Sequence, residues 1–448
     1  MNIKRLFICA AALFSMMMLT GCDLFFDLLE NPIYTKITMA TSNVTLKGGE
    51  TVFRQAKTES PAPIIYTSSD EDVAIVDASG LVTAVGSGTA TITASVDAID
   101  YWTSAQISYQ VTVPADEKVD IPLTIEATQD GTTISVSNNS HITFEYSVNG
   151  GSRTTVSGAN ANISLNQGEY VEFFSNCSST YSGGDYFNIK PDKTAYVYGN
   201  VMSLVDDGTS GFAADKVLDA DRALYGLFEG ADRLDLHGYK RFELPATTLT
   251  SGCYFSMFKG CTRLTRVIPN LLPATTMASD CYQSMFEGCI SLAKLPENLL
   301  PATSLANACY QSMFKNCISL TSVPENLLPA TSLANSCYFR MFENCNKLQK
   351  APVLPANDMV MLCYAYMFTK CRNLQEVTCL ATTSQYGSNM GWLDNAGTSV
   401  TGTKIFVVNS GFSIDNPTTD MPKDGGAYTV WGSSRSTSSI PALWTVQN

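Results

Sequence analysis

The apolar positions of this chain change period along its length. From Val73 to Ala94 they alternate. Val73 and Ile75 are followed by the turn Ala78-Ser79-Gly80, then by Leu81, Thr83 and Val85, and, after Gly86-Ser87-Gly88, by Ala90, Ile92 and Ala94. A period of two broken by turn residues at roughly 8–12-residue spacing predicts the short strands of an all-β sandwich over 35–114. A second alternating stretch covers 120–205. It contains Leu123, Ile125 and Ala127, then Ile134 and Val136, then Phe144, Tyr146 and Val148 running into the hairpin sequence Asn149-Gly150-Gly151, and later Val171 and Phe173. This predicts a small antiparallel β domain, in which no convergent polar cluster is evident.

From 223 onward the pattern repeats. Cys253-Tyr254, Met257-Phe258, Cys261 and Leu264 recur with a 28-residue spacing at Cys281, Cys309 and Cys337, and once more 26 residues on at Cys363. An atypical first copy, Leu227-Phe228-Glu229-Gly230-Ala231, has Ala in place of Cys. At ~100° per residue the six apolar positions of a copy fall within an arc of about 140°, the apolar face of a helix. Between copies lies Leu-Pro-Ala-Thr (Leu272–Thr275, Leu300–Thr303, Leu328–Thr331), where proline stops a helix and the chain reads as extended. One helix and one short strand per copy predict an α/β solenoid over 215–380, closed by a C-terminal cap over 381–448.

Three resemblances add to this. The string from Tyr66 to Ala94 resembles the group 2 bacterial immunoglobulin-like (BIG2) domain, with Tyr66 where that family often has Trp. It implies an immunoglobulin-like sandwich that serves as spacer or adhesion module. The spacing Phe-x-x-Cys-x-x-Leu resembles the BspA-like leucine-rich repeat of bacterial surface lipoproteins, which implies an α/β leucine-rich-repeat solenoid. The preceding β domain, and the endings at Trp392-Leu393 and Ile440-Pro441, are similar to modules that accompany such repeats.

The N-terminus reads as an address. Lys4 and Arg5 precede the apolar run Leu6–Leu19, which is too short to span a bilayer comfortably and ends in Leu19-Thr20-Gly21-Cys22. This resembles a lipobox. It implies a signal peptide over 1–21, a diacylglycerol on Cys22, a lipid-anchored tether over 22–34 and an outer-membrane location. Asp23, Asp27 and Glu30 after the cysteine fit display at the cell surface, while a periplasm-facing protein stays open.

Composition narrows the function. Hydrophobic residues make up 45% and charged residues 15%, the balance of a globular chain. The net charge is −13 and becomes more negative when Lys4 and Arg5 leave with the leader, which argues against nucleic acid as a partner. His141 and His237 are the only histidines, so a catalytic triad or a histidine metal site has little support. No cofactor is implied. Paired cysteines within a helical copy would lie about 12 Å apart, beyond the ~7 Å a disulfide needs, so stacked buried thiols and disulfides between copies remain the alternatives. The Tyr column reads as core. A binding surface then falls to the residue between each repeat Leu and the next buried aliphatic: Arg266, Lys294, Ser322, Lys350 and Glu376. This column is either a site for an acidic protein or glycan, or a solvated face that keeps a sheet soluble. The reading is a non-enzymatic surface lipoprotein, held to the membrane by its anchor, that binds an extracellular protein or polysaccharide. The alternatives are a glycan-capturing lipoprotein of an uptake system and, less favoured, a carboxylate-pair hydrolase.

Overall fold

A computed structural model describes residues 33–447 apart from 48–49, 72, 87, 115–120, 139–141, 176–186, 207–210, 213–214, 239, 386 and 409–443. Cys22 and its leader, His141, Cys177 and Trp431 lie outside the described residues. The described chain is β strands and turns, with a single 3-10 segment at Val201–Leu204. It divides into two compact units, with the boundary between residues 119 and 120.

The first unit holds β1 (Ile37–Thr38), β2 (Val44–Thr45), β3 (Thr51–Phe53), β4 (Lys57–Thr58), β5 (Ile65–Ser68), β6 (Ala74–Val76), β7 (Leu81–Ala84), β8 (Gly88–Val96) and β9 (Ala105–Val113). A four-stranded sheet β2-β9-β8-β5 and a three-stranded sheet β3-β7-β6 share one core of small and branched residues, among them Val73, Val82, Ile92 and Val111. In β8 the alternation holds: Ala90, Ile92, Ala94 and Val96 are buried between partly exposed Thr91, Thr93 and Ser95. In the other sheet the phase differs from the expected one. Val82 and Ala84 go inward, while Ile75 and Leu81 face out. Each face of β7 carries an apolar residue, Leu81 on one and Val82 with Ala84 on the other, so period alone could not choose the buried side. Tyr66 is pinned by the backbone N–H of Ala56, which donates to its hydroxyl at 2.6 Å. Gly80, at φ +88°, lets the neighbouring turn approach: a Cβ there would lie 2.5 Å from the Arg54 carbonyl and 3.0 Å from the Tyr66 ring.

The second unit begins with β10 (Leu123–Ala127), β11 (Thr132–Asn138), β12 (Thr143–Val148), β13 (Thr154–Ser157), β14 (Ala161–Leu165), β15 (Tyr170–Ser175), β16 (Phe187–Pro191) and β17 (Ala195–Asn200). The order β13-β12-β15-β10-β17 faces β14-β11-β16 across a core that includes Phe144 and Phe187, whose rings meet edge-on at 5.1 Å. β17 is then extended by the first repeat. β18 (Leu234–Leu236) pairs with it in parallel, Ala195 against Leu234, and β19 (Phe242–Glu243) pairs with it further on. One continuous core runs from Leu123 through the copies to Phe406, so 120–205 is the first layer of the stack rather than a separate body.

The copies contain no helix, contrary to the expectation. Each is a coil of successive turns. In the copy beginning at Asp280, the N–H groups of Asp280, Tyr282, Ser284, Phe286 and Gly288 donate to carbonyls of the next copy (Asn307, Cys309, Gln311, Met313 and Lys315) at 2.8–3.0 Å. The residues between them close turns inside the copy, Gln283 to Asp280, Met285 to Tyr282, Glu287 to Ser284 and Cys289 to Phe286. Every backbone donor from Tyr282 to Cys289 is thus accounted for, with half the bonds running along the stack. Asp280, Ser284 and Gly288 take φ of 60°, 55° and 77°, and every fourth residue does likewise at 308/312/316 and 336/340/344. A right-handed helix cannot contain such positions, and Gly, Asn and Asp, which tolerate them best, stand there as Asp280, Gly288, Asn316 and Asn344.

Stacking aligns identical side chains. Phe228, Phe258, Phe286, Phe314, Phe342 and Phe368 form a ladder with centroids 5.3–5.7 Å apart. Tyr254, Tyr282, Tyr310, Tyr338 and Tyr364 form another that ends on Trp392. Both are buried, as the apolar-face reading requires. The thiols of Cys261, Cys289, Cys317, Cys345 and Cys371 each donate to the Phe carbonyl of the preceding copy at 3.0–3.2 Å. That bond accounts for Ala231 in the first copy, since no earlier copy offers its thiol an acceptor. A further copy follows Cys371: the N–H of Phe368 donates to Trp392, and Leu393 and Ala396 are buried after it.

Candidate functional site

The open face of the parallel ladder is where side chains from every copy come together. Asp235 accepts from the N–H and hydroxyl of Thr265 (3.2 and 2.9 Å), and the backbone ladder continues from Ala293 to Thr321 to Gln349 to Gln375. This ladder aligns four of the five predicted column residues, Lys294, Ser322, Lys350 and Glu376. Lys294 bridges Ser322, and Lys350 bridges Glu376, each across adjacent copies. Arg266 heads the column, and its guanidinium donates to the carbonyls of His237 (2.6 Å) and Gly238.

The column is not the cationic ribbon its basic members suggest. Lys350 Nζ lies 3.0 Å from Glu376 and 3.9 Å from Glu325. Its hydrogen bond to Glu376 raises its pKa and keeps it charged. With Arg266 bound to backbone oxygens and Lys350 to carboxylates, the face presents mixed polar groups rather than a field for a polyanion.

The upstream end of this face carries a cluster that the sequence reading of 120–205 does not contain. Glu126 (β10) and Tyr198 (β17) meet Lys240, which follows β18: Lys240 Nζ forms an ion pair with Glu126, lies 3.1 Å from the Tyr198 hydroxyl and stands 4.3 Å from that ring's centroid. His237 packs edge-on against Tyr196 and Tyr198 at 5.2 and 5.5 Å, and its Nδ1 accepts the Lys240 N–H at 3.2 Å. The alternation Tyr196/Tyr198 was the available signal. Lys240 lies 42 residues from Tyr198 and 114 from Glu126 in sequence.

Burial, reinforced by the Lys240 charge, pushes His237 down to about 4 from its usual 6.5. The unfolded chain therefore binds a proton below about pH 6.5 that the folded chain does not accept until about pH 4. Stability falls with pH through that window, by up to ~3 kcal/mol at ~1.4 kcal/mol per unit. We expect the difference in urea midpoint between wild type and His237→Gln at pH 7 to change by pH 4.5 in favour of the variant; an unchanged difference would disprove the assignment.

The turn side has its own charges, and they satisfy one another. Glu229, Lys259, Glu287, Lys315 and Glu343 alternate in sign along one row, with N–O separations of 3.6, 4.0, 3.4 and 4.0 Å. Lys315→Glu would set three carboxylates in series, and should cost about 1 kcal/mol, less at 1 M salt than at 0.05 M. A loss independent of salt would show that packing, not charge, fixes this row.

Among the described residues no group of three or more His, Cys, Asp or Glu side chains is placed to hold a metal ion, and no helix is long and apolar enough to cross a membrane. Residues 33–100 match the bacterial Ig-like domain (group 2) family, in agreement with the two packed sheets of the first unit. No curated protein matches the chain.

Proposed function

We propose that the stacked copies of 215–380 are a leucine-rich-repeat solenoid of the BspA-like kind, with turns in place of helices. On this reading the chain is a non-enzymatic, lipid-anchored surface protein that binds an extracellular protein or polysaccharide. The observation that supports it most is the open face running from Tyr196 and Asp235 through Arg266, Lys294 and Ser322 to Lys350 and Glu376. A parallel ladder repeated copy by copy gives a long, regular surface, which suits an extended ligand better than a reaction centre.

The Ig-like unit fits a spacer. The chain enters beside the loop joining β8 to β9 and leaves at Val113, the far end of β9. The eight steps of the nine-residue strand β9, at ~3.3 Å each, separate those points by about 26 Å. Tyr196, partly exposed and paired across the strands with Glu126, offers a ring on which a sugar can stack, whereas Tyr198 is buried beneath Lys240. The test is a binding screen of the mature chain on immobilised polysaccharides and extracellular-matrix proteins. Saturable capture of one class, weakened by Tyr196→Ala together with Lys294→Glu, supports the proposal; glycan-only capture selects the uptake reading. Capture that both substitutions leave unchanged rejects this face.

A further inference from the structure

The end of the Ig-like unit at which the chain enters is apolar and uncovered. Ile33 is 45% exposed, Tyr34 83%, Ile99 39% and Tyr101 52%, in a chain whose large hydrophobic residues are mostly buried. Backbone bonds bring Ile33, Ile99 and Tyr101 to one end of the unit, and Tyr34 follows Ile33 directly. Ile33 bridges Trp102, its N–H donates to the Tyr101 carbonyl at 2.6 Å, and its own carbonyl accepts from Thr103 at 3.0 Å. Trp102 and Ile99 in turn exchange backbone hydrogen bonds at 2.8 and 3.2 Å, closing the tip of the β8–β9 hairpin. Backbone hydrogen bonds thus tie the entering chain to the tip of the hairpin.

We propose that this tip rests on the lipid bilayer that holds the Cys22 acyl chains; the inference relies on the lipid-anchor reading. Three observations select lipid as the occupant. Ile33 follows Cys22 by only eleven residues, at most about 38 Å of extended chain, so an anchored domain cannot take this end far from the surface. Those residues include Leu24, Phe25, Phe26, Leu28 and Leu29, which favour the interface themselves and shorten the reach. The patch joins aliphatic groups to Tyr and Trp, the amphipathic rings that settle at the depth of lipid headgroups. The charged residues at the tip are Asp97 and Asp100, with Lys36 nearby, so attachment is by apolar contact and not by attraction to phosphate. Tethering raises the local lipid concentration enough for a contact too weak to bind alone. With the tip seated, Val113 stands at the opposite end of the hairpin, clear of the membrane.

The test places an environment-sensitive fluorophore on Ala98→Cys in the acylated chain carrying Cys177→Ser, in phosphatidylcholine vesicles, with Thr89→Cys at the other end of the hairpin as the control. The remaining described cysteines are buried and leave the label specific. The proposal expects blue-shifted emission at 98, quenched severalfold by brominated acyl chains, and aqueous emission at 89. Adding Tyr34→Ser and Tyr101→Ser should abolish the shift. Aqueous emission at both positions overturns the proposal. So does a blue shift at 98 that persists without vesicles and resists brominated lipid, since the patch is then covered by the protein's own residues 24–29. Mass spectrometry of the N-terminus separates the two readings. If Cys22 carries no lipid, the anchor has failed; the same label on the chain starting at residue 23 then decides the tip alone, with a shift at high lipid supporting it and none rejecting it.

Discussion

Phe314→Ala should destabilise the second unit by about 3–5 kcal/mol, the range for deleting a fully buried aromatic ring. Phe314 is 0% exposed and stacks at 5.6 Å on both Phe286 and Phe342, so one truncation removes two ring contacts and opens a cavity in the middle of the ladder. A stack communicates only with its neighbours, and the damage should be local: hydrogen exchange should accelerate in the copies around 286, 314 and 342 before it does so in β10–β17. A loss below 1 kcal/mol would mean that the ladder is not the core. Tyr282→Phe should go the other way. The Tyr282 hydroxyl is buried and has no hydrogen-bond partner, so removing it should be neutral or stabilising by up to ~1 kcal/mol in the urea midpoint.

The second large effect concerns the thiols. All eleven described cysteines are buried and unpaired with one another. Burial pushes Cys281 and Cys337 up to about 12 and Cys379 to about 11, so each thiolate is suppressed by orders of magnitude at pH 8. Native protein treated with iodoacetamide should leave these residues unmodified over hours, while the same reagent in guanidinium should modify all eleven. Rapid native modification would show that the thiols are accessible rather than buried, and masses low by two hydrogens per cysteine pair would replace the thiol ladder with disulfides. The ladder also explains why cysteine is present at all. The Phe286 carbonyl accepts from the Cys289 N–H of its own copy and from the Cys317 thiol of the next, so Cys supplies a small apolar side chain with one weak donor.

Much of this was legible in the chain. The columns of Cys, Tyr, Met, Phe and Leu named the core correctly, and the 28-residue period named the unit of stacking. The helix was misread for a physical reason. Turns that turn left-handed every fourth residue place i and i+4 on one side, as an α-helix does, so Cys281, Met285 and Cys289 fall in line under either geometry. Gly260, Gly288, Asn316 and Asn344, each directly before the second cysteine, were the distinguishing mark, because Gly and Asn favour positive φ. The alignment of the column from Lys294 to Glu376 was readable by counting, since the ladder keeps the register that the repeat dictates. Its charge balance was not, because Lys350 is neutralised by Glu325 and by Glu376 from other copies. The Glu126–Lys240 cluster was out of reach for the same reason: it exists only once β18 has docked on β17.

The central claim is that the open face of the parallel ladder is the binding surface. It is tested most directly by hydrogen exchange on the mature chain with and without the ligand captured in the binding screen. The account predicts protection centred on 196–198, 235–237, 265–266, 293–294, 321–322 and 349–350, with the turn row from Glu229 to Glu343 unchanged. Protection confined to that turn row, or to the Ig-like unit, would contradict it.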